Sequence, residues 1–292
     1  MPGEQDTKQT KTVALVIVLY NPNPEDLIQV EHLSALYPGA VVDNSDSPHF
    51  PSSTIGKMAY QSLGANCGIA KAQNVGMRLI LDNGSPDFIV FLDQDSRLDD
   101  GYPLTIAHKF DSISQRISQL AILGPTIMIQ GTQESYHSII HRDHQVYDDF
   151  IPRREVISSG SCMAVEAIGQ VGMNDESLFI DFVDFEWCWR ARAKGYLCGV
   201  TPAVTITHKV GHREIHIGGY LIILSAPFRY YYQFRNFLWL SRRKYVPLQW
   251  KIATGVKHLA RLCYFPVCIS HGSRYWRQMV RGMWAGIHQQ PK

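Results

Sequence analysis

Phe88-Ile-Val-Phe-Leu-Asp-Gln-Asp-Ser96 is a run of five apolar residues that ends abruptly in two carboxylates, Asp93 and Asp95. The run is too short for a typical helix and rich in branched and aromatic side chains, so it reads as a strand buried on both faces of a parallel sheet. The acids then stand at the strand's carboxyl end, the rim at which open α/β sheets bind ligands. A hard divalent cation can bridge aspartate oxygens and a diphosphate there. From this stretch alone, an acidic loop that only solvates a strand end is an equal alternative.

The flanking sequence supplies similar units. Val13–Leu19 is a continuous apolar run that stops at Tyr20-Asn-Pro-Asn-Pro24, whose prolines favour a turn. A helix is expected over 25–36, a short strand at 40–42 ending in Asp43-Asn-Ser-Asp-Ser47, and a second helix over 69–82. Three strand-then-polar-loop units interleaved with helices predict a parallel, doubly wound sheet whose loops share one rim. Further on, 121–125 and 156–157 read as strands and 136–154 as an irregular excursion. A helix is expected over 184–194, with Asp184 as its N-cap, Gly195 as its terminator, and acids early and bases late to complement its dipole. Short strands at 197–200 and 204–207 follow.

The chain has 292 residues, 45% of them hydrophobic, enough for a large core. Residues 1–11 are polar, lack the apolar stretch of a signal peptide, and read as a loose leader. Six cysteines, without CxxC spacing or the crowding of a disulfide scaffold, suggest buried thiols in a reducing cytoplasm. The net charge of +2 hides a split. Beyond Glu214 the chain has twelve Lys and Arg and no acidic residue, against a surplus of ten acids before it. That pattern points to an anionic partner, nucleic acid or membrane. No helix-turn-helix, zinc-finger or RNA-binding aromatic signature supports nucleic acid. No stretch reaches the twenty or so apolar residues that span a bilayer. Bases mixed with Trp239, Trp250, Trp276 and Trp284 suit a helix lying on anionic lipid, with a core-packed helical subdomain bearing a solvated basic face as the other reading.

Four ordered blocks, Val16-Ile-Val-Leu-Tyr-Asn-Pro22, Val42-Asp-Asn-Ser45, Asn66-Cys-Gly-Ile-Ala-Lys-Ala-Gln-Asn74 and Phe91-Leu-Asp-Gln-Asp-Ser96, together resemble family 2 inverting glycosyltransferases, and more narrowly bacterial rhamnosyltransferases. A fifth, Phe179-Ile-Asp-Phe-Val-Asp-Phe-Glu-Trp-Cys-Trp-Arg190, resembles the acidic helix start that carries the base in such enzymes. The resemblance covers about 12–240. It implies an α/β GT-A (nucleotide-diphospho-sugar transferase) fold, with a mostly parallel central sheet flanked by helices and a C-terminal basic helical extension. The implied division is a catalytic domain at 12–240, its nucleotide half at 12–100 and its acceptor half at 101–240, followed by a basic amphipathic tail at 241–292.

Each block also has a physical reading. Tyr20, Asn21 and Pro22 can wall a nucleotide base, and Asp43, beside Asn44, can accept the imide N–H of uracil or thymine. Asn66 and Gly68 lead into a helix start with Ile69, Lys71 and Asn74, where exposed N–H groups favour an anion; Gly68 making only a turn is the plainer reading. By resemblance, Asp95 holds Mg2+ or Mn2+ on the donor diphosphate, Asp93 serves ribose or the metal shell beside Gln94, and His208 completes that shell. The cation would offset charge developing on the departing nucleoside diphosphate. Asp184 is the expected general base, with Asp181 and Glu186 as supporting acids. A helix start should lower the Asp184 pKa, while burial or the neighbouring acids raise it. The chain departs from its relatives in having Val183 where many have Glu and Glu186 where Asp is frequent. Ser159 and Gly160 match a segment before the acceptor pocket, and Arg229 and Arg235 are expected to pair with a donor or lipid diphosphate.

The implied reaction transfers L-rhamnose from dTDP-β-L-rhamnose to a polyprenyl-diphosphate-linked saccharide in surface polysaccharide synthesis, on the inner face of a bacterial membrane. A UDP-hexose or UDP-N-acetylhexosamine donor is the nearest alternative, and nucleic-acid binding the alternative from a different class.

Overall fold

Val13–Leu19 forms β1, the strand about which the fold is built. Its side chains alternate as a doubly covered strand requires: Val13, Leu15, Ile17 and Leu19 enter one core, and Ala14, Val16 and Val18 enter the other. The structure, a computed structural model, describes residues 11–129, 149–208, 213–217 and 220–291.

After β1 the chain runs through α1 (Pro24–Leu36), β2 (Gly39–Asp43), the small β3 (Thr54–Ile55) and β4 (Met58–Ser62), α2 (Ile69–Asn83), and β5 (Phe88–Asp93). Asn23 starts α1 with a capping box, its side chain taking the Asp26 N–H while Asp26 takes that of Asn23. Next come α3 (Tyr102–Ser114), β6 (Leu120–Ile129), β7 (Ile151–Pro152), β8 (Cys162–Ala164), α4 (Val165–Val171), α5 (Val183–Ala193) and β9 (Leu197–His208). β10 (Arg213–Ile217) and β11 (Tyr220–Leu224) pair as a separate antiparallel hairpin. Three helices close the chain: α6 (Pro227–Ser241), α7 (Leu248–Cys268) and α8 (Gly272–His288).

The main sheet has nine strands in the order β3-β4-β2-β1-β5-β8-β6-β9-β7. The first half of the sheet matches the parallel expectation, since β4, β2, β1 and β5 are mutually parallel. The other half corrects it. β8 inserts antiparallel between β5 and β6, and β7 is antiparallel to β9, so the sheet as a whole is mixed.

Residues 156–157 are not a strand: Val156 plugs the core, Ile157 is exposed, and the chain turns towards β8. The two short strands expected at 197–200 and 204–207 are one strand, β9, interrupted by a register shift opposite Pro125 and Thr126. Of the excursion expected at 136–154, residues 136–148 lie outside the described residues, and 151–152 form β7.

The C-terminal helices pack on the body. Trp239 donates its indole N–H to Gln289 O (3.0 Å) and Arg242 donates to Gly286 O (2.7 Å), tying α6 to the end of α8. Trp239 and Trp250 belong to a core shared with Ala70, Leu178 and Trp189, and Phe265 and Met279 to another shared with Tyr230 and Phe234. Trp239 and Trp250 are therefore core residues, and Trp276 and Trp284 remain exposed. All six cysteines are free; Cys162, Cys188 and Cys198 are buried, while Cys263 and Cys268 are exposed on α7. Among the described residues no helix is long and apolar enough to cross a membrane.

Candidate active site

Strand register delivers the first group of residues. Val18 lies opposite Asp93 and Leu19 opposite Asp43, so β2, β1 and β5 end together and bring Asp43, Tyr20 and Asp93 to one rim. Tyr20 is 47% exposed there. Its backbone N–H is held by Gln94 Oε1 (2.7 Å), and the Asn21 N–H by Ser45 Oγ (2.8 Å). Gln94 also reaches Asp26 on α1 (3.4 Å), so it ties two strand ends to a helix.

Beyond β5 the chain turns tightly, with the Asp93 N–H on Ser96 Oγ (3.1 Å) and the Ser96 N–H on Asp93 O (3.0 Å). Asp95 stands exposed at the tip and makes no hydrogen bond or ion pair among the described residues. No three His, Cys, Asp or Glu side chains among the described residues gather into a cage for a cation. The rim offers Asp95 and Asp93 instead. Two hard oxygen donors, one of them open to solvent, fit a cation that keeps several waters and takes its other ligands from a diphosphate. β9 ends at His208, whose side chain lies outside the described residues.

Asp43 departs from its expected role. The residue is completely buried, and its carboxylate is filled by the Ser45 N–H (3.1 Å), the His49 N–H (3.0 Å), the His49 ring Nδ1 (2.8 Å) and the Tyr60 hydroxyl (2.8 Å). Burial alone pushes this carboxyl up, but the donors from Ser45, His49 and Tyr60 more than reverse that and hold it below its ordinary value. As it stands, Asp43 organises the rim and offers no open oxygen to a base. His49, whose Asp43 partner is far in sequence pattern from any histidine motif, was not legible beforehand.

Gly68 is the N-cap of α2, the helix start at which it was expected. Its φ is +86°, and a Cβ there would lie 2.6 Å from the Phe179 ring and backbone, so only glycine fits. The Gly68 N–H goes to Asn66 Oδ1 (3.1 Å) and the Ala70 N–H to Phe179 O (3.3 Å), so this part of the helix start is engaged within the protein. Asn44 completes the turn, donating to Asn66 (3.1 Å) and accepting from the Cys67 N–H (2.7 Å). Asn74 is buried and bound to Asn174 and Glu176, a structural role. Lys71 is exposed and Ile69 half-buried.

The base candidate is joined to the same rim through one turn. Gly160, with φ +74°, donates its N–H to Phe91 O (2.7 Å) and accepts from the Tyr102 hydroxyl (2.6 Å), while the Phe91 N–H goes to Ser161 O (3.0 Å). Ser159 is buried in this turn. Ser158 then donates its N–H to Asp184 Oδ2 (3.3 Å). Asp184 is the second residue of α5, so it does not cap the helix; Phe182 does, in a left-handed conformation and without a side-chain bond. The pKa outcome follows the burial alternative. Burial pushes Asp184 up to about 6, against the N–H groups of Phe185 and Ser158, and Asp181 adds to the rise.

The loop entering α5 is unusual in its backbone. Phe179, Asp181 and Phe182 all have φ between 66° and 67°. Left-handed conformations in non-glycine residues persist only where surroundings impose them. Asn236 supplies that constraint from α6, its amide nitrogen reaching the carbonyls of Leu178 (2.9 Å), Ile180 (2.9 Å) and Asp181 (3.1 Å). Arg235 adds bonds to Ser177 O (2.7 Å) and Leu178 O (3.0 Å) and lies 4.2 Å from the Trp239 ring centroid. Arg235 is thus a buried clamp, a correction to its expected place on a diphosphate. Arg229 makes a bidentate pair with Asp181 (2.5 and 3.2 Å). Glu186 is buried and accepts from Arg190 (3.0 Å), Arg243 (3.2 Å) and Tyr245 (2.6 Å), which anchors α5 to the C-terminal helices.

A cavity of about 490 Å3 is lined by Ser159, Phe182, Phe185 and Ile127, by Gln233 from α6, and by Trp250, Lys257, His258 and Arg261 from α7. No local pattern in the sequence joins these residues, because residues 124–202 and 250–261 meet only through the fold.

The strand order and the rim are those of a GT-A glycosyltransferase. Solved structures agree on the fold: S. aureus TarS, residues 1–349, superposes with a TM-score of 0.56 at 12% identity over 95% of this chain and 81% of that one. GalNAc-T7, crystallised with UDP, GalNAc and Mn2+, gives 0.55 at 12% identity over 97% of this chain and 57% of its own. No family model matches the sequence. The dTDP-rhamnosyl transferase RfbF of Shigella flexneri is 33% identical over 252 residues, covering 80% of this chain and 81% of that protein. The chain belongs to this rhamnosyltransferase family and is a glycosyltransferase.

Proposed function

We propose that the chain is an inverting transferase that moves L-rhamnose from dTDP-β-L-rhamnose to a polyprenyl-diphosphate-linked saccharide. The observation that carries this reading is Asp184, a desolvated carboxylate with a pKa pushed up to about 6, tied through Ser158 to the turn that pairs with β5. A general base serves best when its pKa lies near the working pH, and Asp184 comes much closer than an ordinary aspartate. Its likeness to the Shigella protein supplies the donor class.

In this reaction the acceptor hydroxyl gives its proton to Asp184 while its oxygen bonds to the sugar C1. The bond from C1 to the diphosphate oxygen breaks, and the electron pair leaves with the nucleoside diphosphate. Attack from the face opposite the leaving group inverts C1, so no second, nucleophilic carboxylate is required. Tyr20 offers its exposed ring to the base, and the Asp43–His49–Tyr60 cluster keeps the neighbouring loop in place. Arg229 holds Asp181, and Asn236 holds the loop, so Asp184 enters α5 in a defined position. A divalent cation, Mg2+ or Mn2+, on Asp95 and Asp93 would supply charge neutralisation at the diphosphate.

Membrane placement is part of the same proposal. Leu248, Ile252, Val256, Leu259 and Val267 on α7 are each between 59% and 84% exposed. Their spacing of four, four, three and eight residues keeps them on one face of the helix, an arrangement that suits a helix lying in a lipid interface.

The donor is tested by thermal shift with Mn2+ and a panel of nucleotide sugars, since a ligand that binds only the folded state raises Tm. The expected result is stabilisation by dTDP-rhamnose above UDP-glucose and UDP-N-acetylglucosamine. Preferential stabilisation by a UDP-sugar would reject the donor assignment.

A further inference from the structure

We propose that the cavity between the sheet and α7 is an acceptor site in which Lys257 and Arg261 hold the diphosphate of the lipid-linked saccharide and the apolar wall takes the start of its hydrocarbon chain. The inference rests on the transferase reading above and assigns to α7 the role expected of Arg229 and Arg235, both of which are committed elsewhere.

The position is right for an acceptor. Ser159 and Phe185 line the cavity and are the immediate chain neighbours of Ser158 and Asp184, with Phe182 two residues before the base, so a hydroxyl entering from this side approaches it. At about 490 Å3 the space accommodates more than a single sugar ring.

The lining has two chemistries. Pro125, Ile127, Ile151, Val200, Phe182 and Trp250 make a hydrocarbon surface. Opposite them, Lys257 and Arg261 project from successive turns of α7. Neither forms an ion pair with a carboxylate among the described residues; Arg261 donates to the neutral Gln233 Oε1 (3.1 Å), lies 5.5 Å from the Tyr230 ring centroid and neighbours the Tyr264 hydroxyl, all uncharged partners. Glu155, the acid in the same lining, accepts the Trp189 indole N–H (2.7 Å), and Arg153 adds a further cation there; Lys257 and Arg261 oppose one another, and burial and Arg261 together hold the Lys257 ammonium below its ordinary value. Such an arrangement is relieved by an anion with several oxygens, and guanidinium beside ammonium is a suitable pair for a diphosphate.

His258 is the independent sign of a missing polar partner. It is 4% exposed and borders the cavity. Nε2 lies 3.3 Å from Gln233 O, while the ring's other polar neighbour is the Thr254 carbonyl of its own helix, in poor hydrogen-bond geometry for Nδ1. Buried polar atoms are nearly always paired, so an orphan at a cavity edge marks a place for a ligand or its water.

The test uses the full chain and compares wild type with Lys257→Met, Arg261→Met and the double variant. Three rates are measured with dTDP-rhamnose: transfer to a saccharide on a short prenyl diphosphate, transfer to the same saccharide as a phosphate-free alkyl glycoside, and donor hydrolysis without acceptor. Removing charged contacts should raise KM for the diphosphate acceptor about 10-fold in each single variant and about 100-fold in the double. The other two rates stay at wild-type level, which also shows that the variants are folded. Inorganic pyrophosphate should inhibit wild-type transfer competitively with the diphosphate acceptor and lose that effect in the double variant. An unchanged KM alongside normal transfer overturns the site assignment alone. Variants that lose binding to anionic vesicles yet keep the wild-type KM in detergent show that these cations serve a lipid surface, which also overturns it. A wild-type protein that turns over no donor in any arm rejects the transferase reading and this inference with it.

Discussion

Asp184→Asn is expected to stabilise the protein at neutral pH while it removes transfer. Burial moves the Asp184 pKa from 3.8 to about 6, so the folded protein binds this proton more tightly than the unfolded chain does. The favourable contribution is therefore complete below the unfolded value and is lost as pH rises through about 6. A shift of about two units corresponds to about 3 kcal/mol of stability forgone above pH 7. Asparagine carries no charge and escapes that loss. It does replace one oxygen that accepts from Phe185 (3.0 Å) or Ser158 (3.3 Å), at about 1 kcal/mol at every pH. The variant should then exceed wild type by about 2 kcal/mol at pH 8 and by only about 0.5 kcal/mol at pH 5. Urea unfolding curves at the two pH values measure the difference. A gap that is constant with pH, or one that favours wild type more at pH 8, would refute the desolvated-carboxylate argument. In the same variant transfer should fall about 100-fold or more, and the wild-type rate should rise with unit slope to about pH 6 and then level.

Three other outcomes follow from named contacts. Asp95→Asn, at an exposed site without a hydrogen-bond or ion-pair partner among the described residues, should leave Tm unchanged without ligand and abolish the Mn2+-dependent thermal shift given by dTDP-rhamnose. Asn236→Ala leaves the carbonyls of Ile180 and Asp181 without this donor, while Leu178 O keeps Arg235; the cost is about 2 kcal/mol at about 1 kcal/mol per bond, and kcat should fall with little change in donor KM. Truncation after Ser241 removes Trp250, Phe265 and Met279 from two cores, so the remainder should be insoluble or molten, as judged by near-UV circular dichroism and ANS binding.

Much of residues 12–100 was legible because the signals there are local. A seven-residue apolar run bounded by Tyr20-Asn-Pro22 can hardly be anything but β1, and Phe88–Asp93 is equally plain. The same signals identified α1 and α2 to within a residue at each end. β8 was missed because Cys162–Ala164 is three residues long and takes its identity from pairing with β5 and β6, which no local pattern encodes. The carboxylates Asp93, Asp95 and Asp184 were readable by type and position. Their environments were not. Whether the helix dipole or burial governs Asp184 depends on what packs around it, and Asp43 is closed by His49 and Tyr60 from outside its own block. Arg235 illustrates the same limit: an arginine in a Tyr-rich helix suggests a phosphate until Asn236 and the carbonyls at 177–178 are placed beside it. The C-terminal helices were read as a tail because basic composition is visible in sequence, whereas Trp239–Gln289 and Arg243–Glu186 contacts require the fold.

The most direct test is the stereochemistry of the product. The purified protein with Mg2+, dTDP-β-L-rhamnose and a prenyl-diphosphate-linked saccharide should form a rhamnosyl product whose anomeric C–H coupling by NMR is that of the α-linkage, and Asp184→Asn should form almost none. A β-linked product, or undiminished transfer by Asp184→Asn, would contradict single-carboxylate inversion at Asp184.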